Sequence, residues 1–565
     1  MATEQINNTI SIGIDFGTSK LAISYFENNQ NVQTVTFDGG SSIIPAWLKL
    51  FNNANQTKIS YIVGEQAKKP EDQLDNGETF YNIKRFLGKT FEELQDESDI
   101  LGFDFGQENG NSVIVIGSQQ QKPNTFRPKE IAALFFKKLM NQIKTKIPTI
   151  VRPNMFVGVP VKMTPEAIQD LTEAAKLGGF ETVDVIAEPM ASVLYYLDVN
   201  KNSTIKNFIV IDIGAGTLDI SCVEKNSNGS YELLYSDGNN DLGGNNFDEV
   251  VSKMIIDTVE KNIPYFYTTL SKDLLPDRLN IKRRLNILKR VSEDTKIAFS
   301  SNDQVEIDFN NLLTKEDTKN GYLLEICDDK ESFILQKVDF IDKADFLFSN
   351  IRNTIKNILT QSKLSLKKIE KVILVGGCAL IPKVKQVVRA SITNVYKSFN
   401  GAIVTINKMT TVSEGCAIQA NDNLNTNVYN RVIQKTSYTV GLDVSGIFET
   451  VIPTNVVLPV YFEKVYQCEK GEQDIFLTFY KTTLVLKANQ KHRINCSEYK
   501  YITDVKVPPG DTVTVKVNVD LVGNTTVKAT SKNGKVDGKM YVDTSSLEND
   551  LLSLKRHLEN TIYFN

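Results

Sequence analysis

The sequence predicts a two-lobed α/β unit over residues 8–425, a linker over 426–438, an all-β sandwich over 439–543 and one C-terminal helix over 544–565. Three observations carry this reading. Apolar runs bounded by Gly or Asp alternate with helical patterns up to about residue 425, the texture of an α/β protein. A unit of strand, Asp-x-Gly and second strand occurs twice in that stretch. From 439 onward, short alternating strands succeed one another without helices between them, as in a β-sandwich.

Composition narrows the chemistry. With 64 Lys plus Arg against 68 Asp plus Glu, the net charge of the 565-residue chain is −4, so no global field steers it to nucleic acid. No apolar run approaches the roughly 18–20 residues of a membrane span, and Met1 to Asn8 is polar, without a secretory pattern. The two histidines, His492 and His557, lie in a basic run and in the terminal helix, which excludes Ser-His-Asp catalysis and multi-His metal sites. The six cysteines are scattered, with no C-x-x-C pair; this reads as reduced thiols and a cytoplasmic setting. The chemistry must run on carboxylates, Lys, Thr, backbone amides and a bound cation.

The first hairpin unit is Ile10-Ser-Ile-Gly-Ile-Asp15-Phe-Gly17-Thr18-Ser19-Lys20, and the second is Phe208-Ile-Val-Ile-Asp212-Ile-Gly214-Ala215-Gly216-Thr217-Leu-Asp219. Gly permits a tight turn and a close approach of backbone N–H groups to an anion. Thr and Ser add hydroxyl donors, and an Asp at a strand end suits a hydrated Mg2+. The chain runs strand to strand, unlike a Walker or Rossmann loop, which opens a helix. One Asp-x-Gly-Thr is ordinary turn chemistry; two in matching context predict hairpins that face each other across a cleft and grip one polyphosphate. A third element, Lys371-Val-Ile-Leu-Val-Gly376-Gly377-Cys-Ala-Leu-Ile-Pro382, is a strand, a Gly pair and a helix start. Alone it reads as a strand–helix turn.

Beyond 438, Asp511 to Val519 alternates over nine residues after the turn Pro508-Pro509-Gly510, and Asp474–Phe479 and Val456–Phe462 also read as strands. Ser545-Ser-Leu-Glu548 is a capping-box signal. It precedes Leu547, Leu551, Leu554 and Leu558, an apolar stripe expected to bury against the β domain.

With these elements in hand, the chain resembles the DnaK-type, seventy-kilodalton heat-shock chaperones of the actin–hexokinase–heat-shock superfamily. The resemblance covers 8–425 throughout and 439–543 more faintly. Ordered matches include Tyr81-Asn-Ile-Lys84-Arg85-Phe-Leu-Gly88, Val157-Gly-Val-Pro160, Ile186-Ala-Glu188-Pro189, Asp241-Leu-Gly243-Gly244-Asn-Asn-Phe247-Asp248, Ser292-Glu293-Asp-Thr-Lys296-Ile-Ala-Phe-Ser300 and Ser413-Glu-Gly415-Cys-Ala417. It implies an actin-like ATPase fold of duplicated mixed-sheet subdomains, a cofactor of ATP or ADP with Mg2+, and K+ as a candidate second cation.

The resemblance also implies residue roles. Asp15 and Asp212 would hold Mg2+ through water. Gly17, Thr18 and Ser19, with Gly214, Ala215, Gly216 and Thr217, would cradle the phosphates. Lys84 would touch the γ-phosphate and orient the attacking water, and Glu188 and Asp219 would complete the site. Glu293, Lys296 and Ser300 would meet ribose and adenine, with Gly243, Gly244, Gly376 and Gly377 shaping the pocket. Phosphoryl transfer needs positioning and charge neutralisation more than covalent chemistry, which fits these residue types.

Departures from the family pattern are specific. Ala215 replaces a Gly, tolerable if its φ stays negative. Asn245-Asn246 replace acidic residues. Ile297 stands where a basic side chain stacks on the base, and Cys378-Ala-Leu380 replaces a polar Ser-Thr-Arg stretch. Asn430 to Val440 lacks the acidic–leucine run by which the family's linker docks as a strand, and Ile168 replaces a basic residue, although Pro160 is kept. A helical lid beyond one helix and an acidic tail are expected to be absent. Phe448, Ile475 and Leu477 fall near positions that line the family's peptide groove, and equally suit a sandwich core.

The resemblance implies an atypical, lidless chaperone or co-chaperone that hydrolyses ATP slowly and acts on unfolded or nascent polypeptides. Its partners would include a J-domain co-chaperone, a nucleotide-exchange factor or a ribosome-associated factor. The alternatives are a non-cycling, nucleotide-bound scaffold and a small-molecule kinase of the same superfamily; the β-rich tail argues against the latter.

Overall fold

The computed structural model describes residues 9–563 except 28–30, 53–57, 70–76, 96–100, 117–123, 149–151, 202, 228, 268–274, 320–324, 326–329, 362–368, 396–398, 400, 425–431, 434–435, 437–438, 445–446, 455, 457–459, 468–474, 483–490, 494–499, 520–524 and 532–543.

Two sheets share one topology. The first contains β1 (Thr9–Phe16), β2 (Lys20–Glu27), β3 (Asn31–Thr34), β4 (Arg152–Val159) and β5 (Thr182–Ala187), in the order β5-β4-β1-β2-β3. The second contains β6 (Asn207–Ile213), β7 (Leu218–Lys225), β8 (Tyr231–Asn239), β9 (Lys371–Val375) and β10 (Ala402–Thr405), in the order β10-β9-β6-β7-β8. In each, the first two strands form an antiparallel hairpin, and the first strand also pairs in parallel with the fourth. The two Asp-x-Gly units are therefore the tips of equivalent hairpins. Strand β6 is buried at every residue, which is why it reads as a continuous apolar run instead of an alternation.

Helices join the lobes. In the first lobe α1 (Pro128–Lys146) and α2 (Pro165–Leu177) lie together, while α3 (Glu188–Val199) follows β5. In the second lobe α4 (Gly244–Val259) packs on α5 (Leu275–Ala298). Helix α6 (Thr411–Leu424) crosses back to pack on β1 and α3. Its backbone approaches so closely that a Cβ on Gly415 would lie 1.9 Å from the Ala191 carbonyl oxygen. One core cluster accordingly mixes both lobes, including Phe156, Met190, Phe208, Ile373 and Cys416.

After α6, β11 (Val432–Ile433) adds in parallel to the edge of the second sheet, Val432 opposite Tyr231 and Ile433 opposite Glu232. The region lacks the acidic–leucine run, as expected, yet it supplies an edge strand. An open sheet edge offers unpaired backbone groups that any extended segment satisfies, and β-branched residues favour that conformation. An acidic–leucine run is not required. Buried Thr436 then ties the chain to the β-rich region: its hydroxyl donates to the Pro453 carbonyl at 2.9 Å and accepts from Val456 N–H at 3.0 Å.

The β-rich region holds β12 (Thr439–Val444), β13 (Ile447–Ile452), β14 (Val460–Gln467), β15 (Ile475–Thr482), β16 (Lys491–Arg493), β17 (Lys500–Val507), β18 (Thr512–Val519) and β19 (Thr525–Ser531). They form a five-stranded sheet, β16-β13-β12-β15-β17, and a three-stranded sheet, β14-β18-β19. The period-2 pattern of β18 lands as expected: Val513, Val515, Val517 and Val519 are fully buried, in a core shared with Val440, Phe479 and Val507. The strand expected at Val456–Phe462 begins at Val460.

The terminal helix, α7 (Thr544–Thr561), corrects the expectation that its stripe buries against the β domain, as far as the described residues show; the side chain of Leu547 lies outside them. Leu558 and Ile562 enter the core of the first lobe. Tyr563 N–H donates to the Ile59 carbonyl at 2.8 Å, and Lys58 Nζ donates to the Glu559 carbonyl at 2.5 Å. An apolar stripe states that a helix must be covered but not by what. Leu554, Leu558 and Ile562 are buried, each contributing about 1.5–3 kcal/mol before ordering entropy.

Candidate functional site

The two hairpin tips close with the same bond. Gly17 N–H donates to the Lys20 carbonyl at 3.0 Å, and Gly214 N–H donates to the Thr217 carbonyl at 3.0 Å. They also meet: a Cβ on Gly216 would lie 2.8 Å from Thr18 Oγ1, so the loops face each other across a cleft. Ala215 does not take a positive φ, and its methyl is accommodated. Gly244 N–H and Asn245 N–H donate to the Gly214 and Ala215 carbonyls at 3.0 and 2.8 Å. The Gly243-Gly244 turn thus props the second loop from behind. Gly376, at φ +87°, lets the chain leaving β9 run close against the end of β6; a Cβ there would stand 2.3 Å from the Ile213 carbonyl oxygen.

The cleft, about 220 Å3, is lined by Asp15, Gly17, Thr18, Ser19, Lys84, Glu188, Asp212, Gly214, Ala215, Gly216, Thr217, Gly244, Glu293, Lys296, Ser300, Gly376 and Gly377. Two further expected residues support it from outside the lining. Gly243 starts α4, and Asp219 accepts from Thr217 Oγ1 at 2.9 Å and Val161 N–H at 3.0 Å. Three remaining expectations concern the β-rich region. Phe448 is fully buried and Leu477 nearly so, and Leu477 belongs to the sandwich core. The side chain of Ile475 lies outside the described residues.

Charge is concentrated at the floor. Lys84 projects from a short 3-10 turn, Ile83–Phe86, preceded by Asn82 at φ +60°, and its Nζ lies 2.7 Å from Glu188 Oε1. Burial, then Glu188, pushes Asp15 up to about 7 against the opposing pull of Lys84. Burial, then Glu188, likewise pushes Asp219 to about 7. Asp212 is pushed well above the carboxylate range by burial first, then by Glu188, Asp219 and Asp15. Burial pulls Lys84 down, but Glu188, Asp15 and Asp219 outweigh it and hold the ammonium charged. Several buried carboxylates facing one ammonium are under-neutralised, the electrostatic signature of a cation site. Among the described residues no three His, Cys, Asp or Glu groups converge for direct ligation. The donor set therefore fits an ion that keeps its waters, as Mg2+ does.

The other end is built by α4 and α5. Lys296 Nζ lies 2.6 Å from Asp248 Oδ1 and donates to the Gly244 carbonyl at 3.2 Å. Glu293 pairs with Lys68 of the first lobe at 2.8 Å, and Asp294 pairs with it at 3.1 Å. Burial would raise Glu293, yet Lys68, Lys296 and Lys289 overcome it and hold the carboxyl low. Sequence reasoning left out Lys68, Asp248, Ile381 and Met409. Lys68 sits in a polar stretch with no motif; Asp248 lay inside a quoted motif without an assigned role.

The comparisons agree with the architecture. Residues 11–553 match the Hsp70 protein family. The chain is 26% identical over 551 residues to the chaperone protein HscA of Buchnera aphidicola subsp. Baizongia pistaciae, covering 96% of each. It is 27% identical over 467 residues to the chaperone protein dnaK of Cyanidioschyzon merolae, covering 82% of this chain and 70% of that one. It is 26% identical over 471 residues to the heat shock 70 kDa protein BIP3 of Oryza sativa subsp. japonica, covering 82% and 64%. With the duplicated sheets, the facing hairpins and a family match spanning most of its length, the chain belongs to the Hsp70 family.

Proposed function

We propose that this protein is a chaperone that binds Mg-ATP between the facing hairpins, hydrolyses it slowly and assists unfolded or nascent polypeptides. The observation that carries the reading is the Lys84–Glu188 pair, 2.7 Å apart, set among Asp15, Asp212 and Asp219 at the meeting point of two anion-binding turns. Backbone N–H groups of both tips, with Thr18 and Thr217, would cradle the phosphates. Mg2+, held through water by Asp15 and Asp212, supplies charge neutralisation at the transferring phosphoryl. Glu188 holds the Lys84 ammonium toward the γ-phosphate, and Asp219 fixes the Thr217 hydroxyl.

The partners that fit are an unfolded polypeptide and co-chaperones of the J-domain, nucleotide-exchange or ribosome-associated kinds, in a cytoplasmic setting. Among the described residues no helix is long and apolar enough to cross a membrane. Strand β11 supports a coupled cycle, since it ties the β-rich region to the second lobe's sheet. The burial of Phe448 and Leu477 favours the second reading, a non-cycling scaffold in which nucleotide is a structural ligand.

Single-turnover ATP hydrolysis separates the two. The cycling reading expects measurable turnover that falls by about 10²–10³ in Lys84→Ala, the scale for losing one charge contact to a transition state. Tight ATP binding without turnover in either protein would overturn it in favour of the scaffold.

A further inference from the structure

We infer that Asn245 is a positioning residue for hydrolysis: from the second lobe it holds the turn that aims Lys84. This rests on the Mg-ATP hydrolysis reading above. Lys84 stands on the 3-10 turn Ile83–Phe86 of the first lobe, and Asn82, at φ +60°, sets the angle at which the chain enters that turn. A non-glycine residue in this left-handed conformation costs energy and persists where its surroundings hold it. The Asn82 side chain is held from across the cleft. Asn245 Nδ2 donates to its Oδ1 at 3.2 Å, a contact between positions 163 residues apart.

A cation fixes the polarity of this link. Lys289 Nζ, on α5, donates to Asn245 Oδ1 at 2.9 Å and to Asp248 Oδ2 at 2.7 Å. An ammonium can only donate, so it claims the amide oxygen and turns the amide NH2 of Asn245 toward Asn82. Asn245 is 3% exposed, which shields the link from competing water. A carboxylate at 245 would offer Asn82 acceptors alone; the amide offers the acceptor that Lys289 takes and the donor that Asn82 needs.

The main chain of the same residue serves the phosphate side, since Asn245 N–H donates to the Ala215 carbonyl at 2.8 Å. One residue thus touches the second phosphate loop through its backbone and the Lys84 turn through its side chain. Arg85 reaches the same motif at Asp241, 3.4 Å away, but Asp241 is 79% exposed, and a pair of that kind contributes little. The Lys84 ammonium is thereby kept in register with the loop proposed to cradle the phosphates. A charge displaced from a transferring phosphoryl costs rate, whereas ground-state binding rests on the other groups of the cleft.

The test is a double-mutant cycle in the full chain. Asn245→Ala keeps the N–H that meets Ala215, and Asn82→Gly keeps the left-handed backbone, so each removes the side-chain link. Each should slow single-turnover hydrolysis at saturating Mg-ATP about 3–10-fold, the scale of one lost hydrogen bond, with the Kd for ATP within about two-fold of wild type. The double variant should lose no more than either single one. Single-variant rates within about two-fold of wild type, losses that multiply in the double variant, or a Kd weakened as much as the rate would each overturn the inference and leave the hydrolytic reading standing. If one variant fails to melt cooperatively, the rate and Kd of the other decide. A wild type that binds ATP tightly without turnover overturns the inference together with the reading beneath it.

Discussion

His557 Nδ1, on the last helix of the chain, lies 2.8 Å from Oε1 of Glu130 at the start of α1. The imidazole also lies 5.2 Å from the Phe126 ring, tilted by 31°. Glu130 is almost fully buried and spends its other oxygen on the Arg127 N–H at 2.8 Å, so it is a fixed acceptor. A contact between positions 427 residues apart pins α7 to the first lobe.

The hydrogen bond to Glu130, then the charges of Glu130 and Glu108, raise His557 against the opposing effects of its partial burial and of Arg127. A group whose folded pKa exceeds its unfolded value contributes stability that is complete below the unfolded pKa and lost as pH rises through the folded one. Docking of α7 should therefore weaken as pH rises above about 6.5. Amide exchange in residues 551–561 should be slower at pH 6 than at pH 8 after correction for intrinsic rates. In Glu130→Gln that difference should shrink, with the charge of Glu108 left to act.

Lys68 spans the cleft mouth, pairing with Glu293 and Asp294 of the other lobe at 2.8 and 3.1 Å. Lys68 and Glu293 are largely buried, so the pair is worth more than an exposed one. Lys68→Ala should speed nucleotide release about 3–10-fold while single-turnover hydrolysis of bound ATP stays unchanged. Equal loss of both rates would place Lys68 in the chemistry instead. Stopped-flow displacement of a fluorescent ATP analogue measures the first rate.

Local pattern made much of this legible. The two hairpins, the β18 alternation and the amphipathic stripe of α7 are short-range signals of burial and turn chemistry, and each folds as those signals dictate. What a pattern cannot carry is the partner. The Leu554–Leu558 stripe required cover without naming the first lobe. Residues 430–440 lacked a side-chain motif, whereas β11 forms through backbone groups that every residue shares. Phe448 and Leu477 suited groove and core alike, and only the fold shows that both are buried. Lys68 was invisible because its partners, Glu293 and Asp294, lie on the other lobe.

Because β11 pairs through its backbone, a substitution that removes backbone pairing should uncouple it where a side-chain change would not. Val432→Pro takes away an N–H and fixes φ, whereas Val432→Thr keeps both and remains β-branched. Nucleotide-dependent protection of the β12–β19 amides, read by hydrogen exchange, should disappear in the first variant and persist in the second. Basal hydrolysis should stay within about two-fold in both.

Asp15 contributes to how the ligand-free protein responds to pH. Burial first, then Glu188, holds its carboxyl near 7, above the unfolded value of about 3.9. Between those values the native state keeps a proton that the unfolded chain has released. The stabilisation is present at low pH and is lost as pH rises toward 7. At pH 8 Asp15 and Asp219 are then a destabilising concentration of buried charge, relieved only in part by Lys84. Asp15→Asn removes one of those charges, so it should raise the ligand-free Tm at pH 8 by about 2–4 °C per kcal/mol relieved and flatten the decline of Tm between pH 6 and 8. The same variant should lose most of the Tm rise that Mg-ATP gives the wild type, because stabilisation by a ligand scales with its affinity. A ligand-free Tm unchanged at pH 8, with the Mg-ATP shift intact, would show that Asp15 carries neither the strain nor the cation.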